Sequence, residues 1–216
     1  MIRKNLIQVQ KTARFFTIGT LGEETKEIWF VCHGYGQLAE YFLRKFQQFE
    51  DGKTFVIAPE ALNHFYVEGF SGRVGATWMT KEERDAEITD YVSYFDGLSG
   101  QLFGNIDFEK VKLNVLGFSQ GVAAVCRWVV LRNVPFHRLI LWAGIFPPDL
   151  NSDFSFSINA LKEKEVIIVY GDKDPMLKEA HLKEMESFRQ IKPDLQIVRF
   201  EGGHELKEDV LLKLKG

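Results

Sequence analysis

Long apolar runs are missing from this 216-residue chain. No stretch approaches the roughly 18 residues that would make a membrane-spanning helix. Met1 to Lys11 carries Arg3 and Lys4 but no sustained apolar run after them, so no secretion signal is expected and a cytoplasmic location is. Cysteine is scarce. Cys32 and Cys126 lie far apart and neither sits in a C-x-x-C pair, which argues against a zinc site or a redox pair. Both stand in apolar surroundings and read as buried free thiols in a reducing compartment. A surplus of positive charge is also missing. With 27 basic and 30 acidic residues the net charge is −3, and nothing builds a basic footprint for nucleic acid. There is no G-x-x-x-x-G-K-[ST], no G-x-G-x-x-G after a strand and no H-E-x-x-H. Gly171 to Asp174 is too short for a calcium loop. No metal and no cofactor is therefore implied.

What is present fits one domain over residues 1–216, since undivided α/β domains often exceed 200 residues. Short apolar runs alternate with helical patterns. Glu27–Cys32, Thr54–Ala58, Lys112–Gly117, Arg138–Ala143, Glu165–Tyr170 and Leu195–Phe200 read as buried strands. Residues 6–10 and 14–18 suggest an opening hairpin or two edge strands. Helical spacing appears over 38–49, in the face Ile88, Val92, Phe95 and Leu98, over 121–131, over 175–190 and over 206–214. Thr80 and Glu83 form a plausible capping box for the second of these. Residues 59–79 read as a glycine-rich irregular loop. Residues 144–164, with Phe154 and Phe156, read as a second long connection. Continuous apolar strands separated by helices mean a mostly parallel sheet covered on both faces. Ligands bind such sheets at the carboxyl ends of the strands.

The most informative of those ends is Gly117-Phe118-Ser119-Gln120-Gly121, between a strand and a buried helix. This is the G-x-S-x-G pattern of a nucleophile elbow. Glycines on either side let strand and helix approach closely at a turn that exposes the serine hydroxyl. With Gly and Ser each near 7% of residues, chance gives the pattern to about one such chain in fifteen. The strand before it and the helix after it make the signal far stronger than the five letters alone. A serine needs a base to take its proton, and the base needs a carboxylate to hold it. In this fold the chain order is serine, acid, histidine, which removes His33 and His64. His137 leads into a strand at the wrong end and His181 lies within a helix. His204, in Glu201-Gly202-Gly203-His204-Glu205 after the last strand, is the base expected. For the acid, Asp172 and Asp174 compete after the 165–170 strand; the local pattern favours Asp174 slightly, with helix N-capping before Pro175 as its other role. Backbone N–H groups of Gln120 and Tyr35 are candidates to hold an oxyanion. His33 is assigned no chemistry.

Together, HGYG at 33–36, GFSQG at 117–121, GDKDP at 171–175 and GGHEL at 202–206 resemble the small carboxylesterase/phospholipase family of α/β hydrolases, which includes acyl-protein thioesterases and lysophospholipase-like esterases. The likeness spans roughly residues 27–214. It implies the α/β-hydrolase fold without a full cap domain and hydrolysis of a small-molecule carboxylic ester or thioester through an acyl-enzyme. It maps the nucleophile to Ser119, the base to His204 and the acid to Asp174 rather than Asp172. It maps the oxyanion donors to Tyr35 and Gln120. Val122 stands where the family often has a third glycine, and Tyr35 replaces its usual leucine. Phe65, Phe70, Trp78, Trp142 and Phe146 are candidates to line an open acyl site. The same residues could serve an acyltransferase or a lactone or peptide hydrolase, and the scaffold without turnover would be a binding module. The sequence sets no oligomeric state.

Overall fold

The computed structural model describes residues 1–151 and 160–215. Residues 152–159, with Phe154 and Phe156 of the second connection, lie outside them.

Seven strands form one sheet. They are β1 (Phe15–Ile18), β2 (Glu27–Cys32), β3 (Thr54–Pro59), β6 (Lys112–Phe118), β7 (Arg138–Trp142), β8 (Glu165–Gly171) and β9 (Gln196–Phe200). Their spatial order is β1-β3-β2-β6-β7-β8-β9. All neighbours run parallel except β1, which pairs antiparallel with β3 through Phe15–Pro59 to Ile18–Val56. From β2 the chain moves outward to β3. From β6 it moves the other way, to β7, β8 and β9. The order therefore reverses between β2 and β6, and a crevice opens beyond their carboxyl ends.

The strands alternate between two cores. Ile28, Phe30, Cys32, Leu139 and Leu141 face one side, where the long helices α2 (Arg84–Phe103) and α3 (Gln120–Leu131) pack. Trp29, Val31, Ile140 and Trp142 face the other, against α1 (Ala39–Leu43), the 3-10 segment Arg44–Phe49 and the C-terminal helix α5 (Glu208–Lys215). Because both faces are covered, the central strands read as continuous apolar runs rather than as alternating ones. Helix α4 (Glu179–Ile191) lies between β8 and β9.

Several expectations change. Residues 6–10 form no strand and are exposed, so β1 pairs with β3 rather than with an earlier neighbour. Within 59–79 a short hairpin forms from β4 (Asn63–Tyr66) and β5 (Val74–Thr77). The expected Thr80–Glu83 capping box is absent. Glu83 takes a left-handed φ of 49°, and the Thr80 hydroxyl instead lies 3.3 Å from the Glu87 carboxylate. Among the described residues no helix is long and apolar enough to cross a membrane.

Candidate active site

Ser119 sits between β6 and α3, at the fourth of the seven strands and beside the reversal in strand order. Its backbone is strained, with φ 52° and ψ −116°. Such a conformation costs on the order of 1–3 kcal/mol in a non-glycine residue. The turn survives because its surroundings fix it. Ser119 N–H donates to Trp142 O at 2.8 Å, tying the elbow to the neighbouring strand end. A Cβ on Gly117 would lie 2.5 Å from Gly121 backbone atoms, and one on Gly121 would lie 2.3 Å from Cys32 O. The two glycines of the motif are thus what lets α3 start directly against β6 and β2.

His204 follows β9 and Asp174 follows β8. His204 Nε2 lies 2.9 Å from Ser119 Oγ, and His204 Nδ1 lies 2.8 Å from Asp174 Oδ2. An ionised carboxylate only accepts, so Nδ1 carries the imidazole proton and Nε2 is left to accept from the serine hydroxyl. Asp174 is buried, with 3% of its side chain exposed, while His204 is partly open to solvent. Asp174 does not cap the next helix. That helix begins at Glu179 with Lys178 at its N-cap, and Asp174 Oδ1 instead accepts from Met176 N–H at 2.8 Å. One carboxylate oxygen holds the local turn and the other holds His204. Asp172 is exposed and accepts from Gly202 N–H at 3.1 Å, bracing the loop that carries His204.

The loop after β2 comes next to the serine. A Cβ on Gly34 would fall 3.2 Å from Ser119 Cβ, so Gly34 lies close against the serine side chain. This loop is pinned from below. Gly36 N–H donates to Ala76 O at 2.9 Å, and Gly34 N–H donates to Gln37 Oε1 at 2.8 Å. His33 is fully buried; its Nδ1–H donates to Gly34 O at 2.8 Å and its Nε2 accepts from Ala61 N–H at 3.1 Å. Burial lowers its pKa from 6.5 to about 4, outweighing the Gly34 hydrogen bond that favours the charged form. The Tyr35 ring itself is exposed and packs on Phe65. The Gln120 side chain has a role that the motif alone does not disclose. It donates to Met79 O at 2.8 Å and accepts from Trp78 N–H at 3.0 Å, stitching α3 to the chain leaving β5.

Ser119 and His204 open onto a cavity of about 340 Å³. Its wall includes Ala123, Arg127, Ile145, Ile168, Leu177 and Met185. None of the five aromatic candidates lines it. Trp78 and Trp142 are core residues; Trp142 donates its indole N–H to Glu205 O, and Trp78 donates to His33 O. Phe146 is stacked on Phe188, Phe65 is half-buried under Tyr35, and Phe70 is fully exposed. Aromatic content reports surface that needs burying, not the side of the sheet on which it is buried. A second cleft, about 770 Å³, opens on the other side of His204 between Tyr41, Phe42, Phe118 and Leu206.

No family model matches the chain, and no curated protein matches it. Solved structures do. Esterase PE8 aligns with a TM-score of 0.68 at 17% identity, covering 94% of this chain and 96% of that one. Zea mays acyl-protein thioesterase 2 aligns with a TM-score of 0.66 at 14% identity, covering 94% and 96%. A phospholipase/carboxylesterase from Dyadobacter fermentans aligns with a TM-score of 0.63 at 15% identity, covering 96% of each chain. The chain thus has the α/β-hydrolase fold of these proteins along nearly its whole length.

Proposed function

We propose that this protein hydrolyses a carboxylic ester or thioester through an acyl-enzyme on Ser119. The observation that carries the reading is the unbroken hydrogen-bond chain from Ser119 through His204 to buried Asp174, mounted on a strained strand–helix turn. His204 Nε2 takes the hydroxyl proton as Oγ attacks the carbonyl carbon. Asp174 steadies the imidazolium that forms. The backbone N–H groups of Tyr35 and Gln120 are the oxyanion donors; the position of Gly34 against Ser119 supports the first, and Gln120, opening α3, supports the second. The His204 proton passes to the departing alcohol or thiol. Water, deprotonated by the same imidazole, then cleaves the acyl-serine bond and regenerates the hydroxyl. The esterase and thioesterase that share the fold are named for the same bond type.

Fluorophosphonate labelling beside turnover of p-nitrophenyl acetate tests this. Wild type is expected to label and turn over, and Ser119→Ala to do neither. Asp174→Asn leaves the imidazole in the wrong tautomer and is expected to lower kcat by about 10³- to 10⁴-fold. A wild type folded by circular dichroism but unlabelled would sink the proposal.

A further inference from the structure

An arginine buried in an apolar helix needs a reason. Helix α3 is buried nearly all round, yet Arg127 stands in it with 3% of its side chain exposed. Taking a guanidinium out of water is costly, and an aliphatic side chain would serve packing better. Ser119, Ala123 and Arg127 are spaced by four, so they follow one another along one face of the helix. Eight residues advance about 12 Å along the axis, and helical side chains lean back toward the N-terminus. Arg127 Nη1 accordingly lies 3.4 Å from Ala123 O. All three residues line the same cavity.

Arg84, the first residue of α2, reaches the same wall. Both guanidinium groups share one carboxylate. Arg127 holds Asp149 through Nε and Nη2 at 2.9 and 2.8 Å, and Arg84 Nη2 lies 3.1 Å from Asp149 Oδ1. The Arg127 hydrogen bonds hold the Asp149 carboxyl down at about 2, so it stays ionised and bridges the two guanidinium groups. Arg84 also lies 3.4 Å from Asp85, but that carboxylate is 97% exposed and water screens it. Among the described residues, the cavity runs from Ser119, with Asp174 and His204 beside it, past apolar Ile145, Ile168 and Leu177 to a wall where Arg84 and Arg127 share Asp149.

We infer that Arg84, supported by Arg127, selects substrates whose short acyl chain ends in an anionic group, the half-esters or half-thioesters of small dicarboxylic acids. The inference rests on the ester-hydrolase reading for its chemistry and on the cavity for its ligand. Arg84, half-exposed, gives the incoming carboxylate charge-assisted hydrogen bonds, while buried Arg127 fixes Asp149 and thereby the position of Arg84.

The test compares mono-p-nitrophenyl glutarate with p-nitrophenyl valerate, which matches its chain without the charge, and measures glutarate binding by calorimetry. Wild type is expected to favour the glutarate ester by about tenfold in kcat/KM. That ratio should collapse toward one in Arg84→Gln and recover partly in Arg84→Lys. Because the ratio is taken within each variant, a general loss of activity does not mimic the effect. A wild-type ratio at or below one, with valerate cleaved, overturns the inference and leaves the hydrolase reading standing. If no ester is cleaved but glutarate binds wild type and not Arg84→Gln, the anion site stands and the hydrolase reading falls. Glutarate binding that is absent, or equal in both, overturns the inference.

Discussion

His33 illustrates how a residue outside the Ser119–His204–Asp174 hydrogen-bond chain can still brace the site. Its ring fastens the loop after β2 from beneath, with one nitrogen on Gly34 O and the other on Ala61 N–H. The Ala61 bond requires an unprotonated Nε2, and burial holds the folded-state pKa at about 4 against an ordinary 6.5. Between those values the unfolded chain binds a proton that the native chain refuses. Stability is therefore full above pH 6.5 and is lost as pH falls toward 4, by on the order of 3 kcal/mol. Urea melts at pH 7 and pH 4.5 check this. His33→Gln is expected to lose part of the difference between the two pH values; an unchanged difference would clear His33 of the effect. The sequence order that set His33 aside as a base disclosed nothing of this brace. Likewise the spacing of Arg127 from Ser119 was visible, yet a charged residue in an apolar helix acquires meaning only when Arg84 and Asp149 arrive from elsewhere in the chain.

At the scale of elements, glycines of opposite kinds occur in neighbouring helices. Gly97 and Gly100 lie on the exposed side of α2, where an added Cβ meets nothing within 4 Å. The helix runs through both to Phe103. Alanine at either position is expected to stabilise by about 0.5–1 kcal/mol, raising Tm by a few degrees. Gly121→Ala would drive its Cβ into Cys32 O and is expected to cost about 3 kcal/mol or more. Thermal scans of the three variants separate the cases; Gly121→Ala melting with wild type would contradict the close approach. The central strands were legible because two covered faces leave little room for polar residues. The hairpin of β4 and β5 was not, because four-residue strands around Gly69 and Gly72 resemble a loop in composition. The start of α4 was misread for a chemical reason: Asp174 and Pro175 look like an N-cap and a first helical residue, but that carboxylate is already engaged by His204.

For the whole molecule, the reversal of strand order between β2 and β6 places the candidate donors and the nucleophile on adjacent strand ends. Asp174 and His204 follow β8 and β9 beyond them. A mostly parallel sheet was foreseeable from the alternation of elements; the order of its strands was not, since it depends on which strand edge remains open when each segment folds. Ser119 and His204 are 85 residues apart in sequence. β9, which leads into the loop of His204, is an outermost strand that must dock on β8 before the imidazole reaches the serine. Contacts so distant along the chain form late. In refolding from denaturant, ester turnover is expected to return more slowly than far-ultraviolet circular dichroism, and simultaneous recovery would count against this order. A chain in which β9 has not yet docked, by the same logic, holds a Ser119 hydroxyl with no imidazole partner.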